Sequence, residues 1–258
     1  MKITDMFDLS GKRALVTGAS SGLGEHFARV LSAQGAEVVL AARRLEKLEA
    51  LASELTSAGG AALPVAMDVT SADSVTSAFD EISKRLAGPC DIIVNNSGIG
   101  QASWFQETTE DEWQAIIDTN LTGVWRVAKA ATNALLQAGQ PGSIINISSI
   151  TALQPSLMNV GYGGTKAAVD HMTRDMAVEV SRYGIRVNAI APGYFKTAIN
   201  DEYLDSEHGD KMRKRIPMRR FGQHSELSGA LMLLASDAGS YMTGETIRVD
   251  GGHVLMPL

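Results

Sequence analysis

Short apolar segments alternate with longer amphipathic segments along almost the whole chain. Residues 13–17 (RALVT) are apolar and partly β-branched, as is typical of a buried strand, whereas in 23–34 the apolar residues recur every three or four positions, as in a helix. The alternation predicts strands over 13–17, 37–41, 62–67, 91–95, 143–148, 186–191 and 245–252, and helices over 23–34, 44–58, 70–86, 110–138, 162–182 and 225–235.

This alternation indicates an α/β fold with a parallel sheet. Strands that are apolar throughout are buried on both faces, so helices must cover the sheet on each side. Because crossovers between parallel strands are right-handed, one doubly wound domain over 1–258 fits the pattern best. Residues 194–221 are polar and poorly periodic, and we interpret them as a substrate lid within this domain.

Composition narrows the possible partners. The 258 residues are 45% hydrophobic and 20% charged, as in globular proteins generally, and a net charge of −6 argues against nucleic acid as the main partner. The basic segment 211–220 (KMRKRIPMRR) is either a solvated helix face or a contact for an anionic substrate or partner. Cys90 is the only cysteine, so no internal disulfide can form. No signal peptide, membrane span or metal site is expected, and the cytoplasm is the expected compartment.

The turn after the first strand, 17–24 (TGASSGLG), contains three glycines and two serines. Without a Cβ atom, Gly18 can turn tightly and Gly22 lets the backbone approach a pyrophosphate. The following helix directs its free N–H groups and positive end at the phosphates. The G-x3-G-x-G spacing differs from the commonest dinucleotide fingerprint, and a tight turn without a ligand is the alternative. The candidate cofactor-binding residues here are Gly18, Ser20, Ser21, Gly22, Leu23 and Gly24.

Five short motifs follow predicted strands or begin a helix: TGASSGLG (17–24), NNSG (95–98), SSI (148–150), YGGTK (162–166) and APGYFKT (191–197). In their order and context the chain resembles the short-chain dehydrogenase/reductase family over nearly its whole length. The resemblance implies a Rossmann-type sheet of seven parallel strands in the order 3-2-1-4-5-6-7, with helices on both faces. It also implies hydride transfer between a nicotinamide cofactor and a carbonyl or secondary alcohol.

The end of the second strand bears on the choice of cofactor. Enzymes of this type that use NAD place an acidic residue there to hold the ribose hydroxyls, whereas those that use NADP place a basic group near the 2′-phosphate. Here Ala42 is followed by Arg43 and Arg44, and a guanidinium suits a phosphate dianion. We therefore expect NADP(H) rather than NAD(H), with Arg43 as the main contact. Ser20 and Ser21 stand where many NADP-dependent members of the family carry a basic residue.

The turns after the later strands supply the rest of the predicted cofactor site. Asp68 resembles the residue that binds the adenine amino group, although capping of the next helix is nearly as good an interpretation. Asn95 is expected to brace the central strands, and Gly98 to let the adenosine approach. The resemblance assigns the nicotinamide carboxamide to Thr197 and the backbone of Phe195, with transfer from the pro-S face. The predicted cofactor-binding residues of these turns are Asp68, Val69, Asn95, Gly98, Pro192, Gly193, Phe195 and Thr197.

Tyr162 and Lys166 lie four positions apart and therefore share a helical face. Tyr162 follows Ser149 by 13 residues, the interval typical of the family, with Ser148 as the shifted alternative. Asn120 matches the helix asparagine of the family. The resemblance thus implies a catalytic tetrad of Asn120, Ser149, Tyr162 and Lys166, the last two also contacting the cofactor. On the pair alone, an amphipathic helix with a half-buried tyrosine and an extended lysine is the alternative.

These residue types suit proton transfer to an alkoxide. A free tyrosine has a pKa of about 10, too high for an efficient base near neutral pH. We expect the Lys166 ammonium, together with the oxidised nicotinamide, to lower that pKa. Ser149 would donate a hydrogen bond to the substrate oxygen. The resemblance also places Lys166 on the nicotinamide ribose and lets Asn120 order a water that relays protons.

Residue types on the substrate side are less specific. We expect substrate contacts from Ser149, Leu153 and Tyr194, in a modest apolar pocket suited to a ketone or secondary alcohol. Further candidates for the pocket wall, for which core or interface packing is the alternative, are Trp104, Ile150, Met158, Tyr203 and Met212. The apolar segment 251–258 is expected to pack on another subunit, and the resemblance implies a homotetramer or homodimer.

The favoured function is an NADP(H)-dependent oxidoreductase of small-molecule carbonyl/alcohol pairs, with Tyr162 as general acid/base. A 3-oxoacyl-[acyl-carrier-protein] reductase of the same family is the first alternative, and 211–220 would supply its docking surface for an acidic carrier. The intact tetrad argues against a module that binds a dinucleotide without turnover. A nucleotide-binding fold used for methyl transfer leaves Tyr162 and Lys166 unexplained.

Overall fold

Seven parallel strands form one sheet in the order β3-β2-β1-β4-β5-β6-β7 within the part of the chain that the computed structural model describes, residues 2–86, 88–100, 102–196 and 206–256. This order confirms the predicted sheet. The strands are β1 Arg13–Thr17, β2 Glu37–Ala42, β3 Ala61–Ala66, β4 Ile92–Asn95, β5 Gly142–Ile147, β6 Ile185–Pro192 and β7 Thr246–Val249.

Helices cover both faces of the sheet. They are α1 Gly22–Ala33, α2 Leu45–Ser57, α3 Ala72–Arg85, α4 Glu110–Ile117, α5 Gly123–Ala138, α6 Val160–Val180, α7 Glu207–Arg215 and α8 Ser228–Ala235. Successive strand residues point to opposite faces. Val16 therefore joins the core beneath α1, α2 and α8, whereas its neighbour Leu15 joins the core beneath α3 and α5. Burial on both sides explains the uniformly apolar strands.

The long helix predicted over 110–138 is interrupted by one π-helical turn, Asp118–Thr122, between α4 and α5. Thr109 caps α4: its hydroxyl accepts the Glu112 N–H, and the Glu112 carboxylate accepts the Thr109 N–H. A π turn inserts one residue into the helix and occurs frequently at functional sites. The inserted turn contains Asn120, which is fully buried.

The segment 194–221 is not irregular throughout, because it contains α7. The Ser206 hydroxyl caps this helix, and acidic residues in its first turn and basic residues in its last turn complement the helix dipole. Met212 is its only apolar side chain among nine residues, so no amphipathic pattern marks it in the sequence. The part of the predicted lid from 197 to 205 lies outside the described residues.

Candidate active site

A cavity of about 990 Å³ runs along the carboxyl ends of the strands, from β2 and β3 to β6 and the first turns of α6. Ligands of doubly wound sheets bind at this edge. The predicted site residues that line the cavity are Gly18, Ser20, Ser21, Gly22, Leu23, Arg43, Asp68, Val69, Gly98, Ser149, Tyr162, Lys166, Pro192, Gly193 and Phe195. Most of the predicted cofactor-binding residues and most of the predicted catalytic residues therefore line the same cavity.

The glycine loop has the backbone that its sequence predicts. Gly18 and Gly22 adopt φ of 66° and 59°, in the left-handed region that favours glycine. A Cβ on Gly18 would lie 2.9 Å from Nδ2 of Asn96, which donates 2.9 Å to the Thr17 carbonyl. Ser21, the N-cap of α1, makes no side-chain capping hydrogen bond, which leaves the first N–H groups of the helix for an anionic ligand.

Two arginines line the cavity at the end of β2. Nη2 of Arg44 donates to Oγ of Ser20 at 2.9 Å and to Oγ of Ser21 at 3.4 Å. Ala42, also on the cavity wall, leaves that position without a carboxylate. Arg43 was predicted from the sequence as the main contact, and Arg44 was not proposed, although the doubled arginine was visible.

Asp68 does not cap α3, because the Ser71 hydroxyl does so. Oδ1 of Asp68 instead accepts hydrogen bonds from the Thr70 N–H at 3.0 Å and the Thr70 hydroxyl at 2.8 Å. Burial raises the pKa of Asp68, but the Thr70 bonds and the charges of Arg43 and Arg126 outweigh it and lower the pKa overall. The cavity wall therefore carries an ionised hydrogen-bond acceptor here.

Asn95 lies behind the cavity and is not among the residues that line it. Its Nδ2 donates 2.9 Å to Oδ1 of Asn146, and Nδ2 of Asn146 donates 2.8 Å to the Thr173 hydroxyl. These buried bonds link β4, β5 and α6. The arrangement agrees with the expected brace of the central strands and gives Asn95 no direct place in the cofactor cavity.

Asn120 is also buried behind the cavity wall. Its Oδ1 accepts the Ile99 N–H at 2.8 Å, and its Nδ2 donates to the Ile99 carbonyl at 2.9 Å. A Cβ on Gly98 would lie 3.3 Å from Oδ1 of Asn120 and 3.7 Å from Nζ of Lys166. Asn120 and Lys166 thus approach each other across Gly98, and the π turn fixes the depth of Asn120.

Ser149, Tyr162 and Lys166 converge at the other end of the cavity. Helix α6 begins two residues before the predicted start, which puts Tyr162 in its first turn, hydrogen-bonded to Ser149. Nζ of Lys166 donates 2.8 Å to the Ile147 carbonyl and lies 5.5 Å from the centre of the Tyr162 ring. The hydroxyl of Ser148, the shifted alternative, instead donates 3.4 Å to the Lys166 carbonyl.

Burial dominates the electrostatics of this pair. It raises the pKa of Tyr162, which the Ser149 hydrogen bond lowers and the Tyr194 phenolate would raise further. Burial also lowers the pKa of Lys166 to about 8, against the attraction of Asp170. The pKa of Tyr162 is therefore raised, whereas a nearby lysine charge was expected to lower it. The reason is that burial disfavours both the Tyr162 phenolate and the Lys166 ammonium. Near neutral pH the phenol therefore keeps its proton.

The predicted substrate residues are less closely gathered. Leu153 is 49% exposed and is not among the cavity residues, and the Tyr194 ring packs 5.3 Å from the His253 ring. Ile150 is buried and Trp104 exposed, so neither position defines a pocket. Thr197 and Tyr203 lie outside the described residues.

The cavity also has walls that were not predicted from the sequence. Most of them adjoin a predicted residue or belong to the π turn, which no periodicity reveals, whereas Gly100 and Ala115 do neither. They are Ala42, Arg44, Met67, Thr70, Asn96, Ser97, Ile99, Gly100, Ala115, Asp118, Thr119 and Ile147. Within the described ranges, no group of three or more His, Cys, Asp or Glu side chains is arranged to hold a metal ion. Nor is any described helix both long and apolar enough to cross a membrane.

Comparison with known proteins agrees with this geometry. A family model described as enoyl-(acyl carrier protein) reductase matches residues 18–253. Gluconate 5-dehydrogenase of Gluconobacter oxydans is 39% identical over 256 residues, which are 98% of each chain. A short-chain type dehydrogenase/reductase of Mycobacterium marinum has a TM-score of 0.93 at 40% identity, over 98% of this chain and 99% of that one. The chain belongs to the short-chain dehydrogenase/reductase family.

A further solved member of the short-chain dehydrogenase/reductase family bears on the ligand. Gluconate 5-dehydrogenase of Burkholderia cenocepacia J2315, in complex with NADP and tartrate, has a TM-score of 0.95 at 38% identity. The match covers 99% of this chain and all of that chain. Membership makes this protein an oxidoreductase.

Proposed function

We propose that this protein is an NADP(H)-dependent oxidoreductase that transfers a hydride between the nicotinamide and a carbonyl/secondary alcohol pair. One observation supports this above the others: Ser149, Tyr162 and Lys166 stand at one end of a cavity whose other end carries Arg43 and Arg44. The glycine loop lies between them, where the pyrophosphate of an extended dinucleotide belongs.

The residues present fit an NADP molecule. The cavity, about 990 Å³, is at the upper end of the usual range of ligand pockets. Arg43, Arg44 and the Ser20 hydroxyl would hold the 2′-phosphate, and the amide groups at the start of α1 the pyrophosphate. The Asp68 carboxylate would accept from the adenine amino group, and the Phe195 backbone would hold the carboxamide. The NADP complex of the Burkholderia cenocepacia relative supports this choice.

The bound cofactor supplies the hydride, and the protein moves the proton. In carbonyl reduction, Tyr162 gives its hydroxyl proton to the alkoxide oxygen, a role that suits a phenol whose pKa is raised by burial. Ser149 donates a hydrogen bond to the same oxygen. Lys166, whose pKa is about 8, is suited to return a proton to the Tyr162 phenolate, with Asn120 ordering the relay.

We extend the proposal to the assembly and the lid. Exposed apolar side chains on α4, α5 and α6 include Trp113, Trp125, Leu136 and Val178, and these support a homodimer or homotetramer built through the helices. Segment 194–221 would cover the substrate within a single domain over 1–258. The cytoplasmic location stays a prediction from the sequence.

The test removes one oxygen atom. Tyr162→Phe should lower kcat by about 10²–10⁴-fold, because the proton donor is lost, while the dissociation constant of NADPH changes little. Turnover would be measured with NADPH and with NADH against ketones, steroids, sugars, sugar acids and acyl thioesters. Unchanged turnover in Tyr162→Phe would falsify the general acid assignment. Faster turnover of the wild type with NADH would overturn the role of Arg43.

One observation favours a second candidate, the 3-oxoacyl-[acyl-carrier-protein] reductase. In the basic segment 211–220, Arg213 pairs with Asp210 and Arg220 with Glu226. The exposed cations there that make no ion pair with a described carboxylate are Lys211, Lys214, Arg215 and Arg219. They would suit an acidic carrier protein. Activity on carrier-bound acyl thioesters that falls steeply with salt would select this candidate.

A further inference from the structure

The two ends of segment 194–221 are fastened to each other. Phe195 and Gly222 form a parallel bridge, and the Gly222 N–H donates 2.9 Å to the Tyr194 carbonyl. The imidazole of His224 then reaches back, with Nε2 at 2.6 Å from the Lys196 carbonyl oxygen. We call these five residues, Tyr194, Phe195, Lys196, Gly222 and His224, the loop clasp.

In the hydrogen bond between His224 and the Lys196 carbonyl, only His224 can be the donor. A carbonyl oxygen accepts and never donates, so Nε2 of His224 carries the hydrogen. Lys196 directly follows Phe195, which lines the cavity. In the proposed function this short stretch holds the nicotinamide carboxamide. A bond that holds the Lys196 carbonyl therefore also restrains the neighbouring Phe195 backbone, which would lie beside the reacting ring.

The His224 ring is itself supported from the cofactor side. His26, on the helix that begins at the glycine loop, places its ring centre 5.7 Å from that of His224. Nε2 of His26 lies 3.0 Å from the Ser228 hydroxyl at the start of α8. Burial, followed by the nearby His224 charge, lowers the pKa of His26, which favours a neutral ring at this contact. His224 is thus held between His26 on α1 and the turn after β6.

We propose that His224 is a positioning residue: through its bond to the Lys196 carbonyl it orients the nicotinamide end of the bound cofactor. The inference rests on the proposed function, because it needs a nicotinamide in the cavity. It goes beyond the family motifs, none of which contains His224. The adenosine end of the cavity lies across the glycine loop from the clasp, so the clasp should act on one end of the cofactor only.

The experiment compares a whole cofactor with a fragment. His224→Ala should weaken binding of NADPH about tenfold, the loss of one hydrogen bond to a fixed carbonyl. Binding of 2′,5′-ADP, which has the adenosine phosphates but no nicotinamide, should change less than about twofold. His224→Gln, whose side-chain amide can still donate, should recover most of the NADPH affinity. With NADPH deuterated at the pro-S position, His224→Ala should also transfer a measurable fraction of unlabelled hydride. The matched control is His171→Ala, an exposed histidine on α6.

A second variant, at Gly222, disturbs the loop clasp at the bridge to Phe195. A Cβ on Gly222 would overlap with the Phe195 ring, so Gly222→Ala should push the two ends apart. It should reproduce the selective loss of NADPH affinity without loss of 2′,5′-ADP affinity. Thermal unfolding of each variant would show that the fold survives.

Three results would overturn the inference. Unchanged NADPH affinity in both variants would show that the clasp does not orient the cofactor. An equal loss of NADPH and 2′,5′-ADP affinity would show a general structural role. A failure of His224→Gln to recover affinity, with its fold intact, would show that the hydrogen bond is not what positions the cofactor. If the wild-type protein does not bind NADPH, the proposed function is wrong, and the inference about His224 is refuted with it.

Discussion

The cofactor end and the substrate end of the cavity are built in different ways. At the cofactor end the side chains of Arg43, Arg44 and Asp68 surround a backbone frame of left-handed glycines, the first turn of α1 and the ends of parallel strands. At the substrate end the candidate contacts are side chains on irregular segments. Leu153 is half exposed there, and Tyr194 packs against His253. The first end is shaped before any ligand binds, and the second depends on the segments around it.

The difference explains which site residues the sequence predicts well. Gly18 and Gly22 are needed because other residues rarely adopt their backbone angles, and such a need is visible in the sequence itself. A substrate-side leucine satisfies many environments equally, so its presence at 153 says little about its contacts. At the cofactor end the sequence therefore named residues such as Gly18 and Gly22 that line the cavity, although Arg44 was not proposed and Asn95 lies behind the wall, whereas it placed the substrate end only as a region.

The fold shows the same contrast between visible and hidden signals. Buried strands such as Arg13–Thr17 matched the prediction because a short apolar run that ends in a glycine-rich turn is typical of a buried strand. The π turn Asp118–Thr122 was missed, since one inserted residue hardly disturbs a helical pattern. Helix α7 was not among the helices predicted from periodicity, because Met212 alone is no apolar stripe, although a solvated helix face was one interpretation of 211–220. The pKa direction of Tyr162 depends on burial by residues far apart in sequence, which spacing cannot reveal.

The largest effect is expected at the cofactor end, where one added methyl group should lower the affinity for NADPH. A Cβ on Gly24 would overlap with the Gly18 carbonyl, so Gly24→Ala must displace the glycine loop. Because the loop backbone is the binding surface, we expect NADPH to bind about 100-fold more weakly, a loss of about 2.7 kcal/mol. Titration of NADPH fluorescence measures this change.

The control for Gly24→Ala is a glycine near the substrate end. Gly164 lies on α6, and a Cβ there would meet nothing within 4 Å. Gly164→Ala should raise the free energy of unfolding by roughly 0.5–1 kcal/mol, as alanine favours helix, and leave NADPH affinity unchanged. Equal losses of affinity in both variants would contradict the claim that the backbone shape of the loop is what binds.

An intermediate effect is expected at Lys166, which stands with Ser149 and Tyr162 at the catalytic end of the cavity. Its native pKa of about 8 is below the usual 10.5 of a lysine, so the unfolded chain binds more protons between these values. The free energy of unfolding should therefore rise with pH through this window. Urea unfolding would show a gain of about 2 kcal/mol from about pH 7.5 to about pH 9.5, relative to Lys166→Met. A flat difference would show that the ammonium is not desolvated. Ionisation of Tyr162, whose pKa is raised in the native state, lowers the free energy of unfolding with rising pH only above pH 10.

The smallest effect is expected at the substrate end itself. Leu153 is 49% exposed, so Leu153→Ala removes a side chain that is only partly packed. We expect kcat/KM for an apolar ketone to fall about threefold, less than the loss of one fully buried methylene group, with NADPH affinity unchanged. Leu157→Ala, at a 76% exposed leucine of the same segment, is the control and should change neither quantity. A loss of about thirtyfold or more at Leu153 would mean that the substrate end is as rigidly formed as the glycine loop, and the contrast between the two ends would then be wrong.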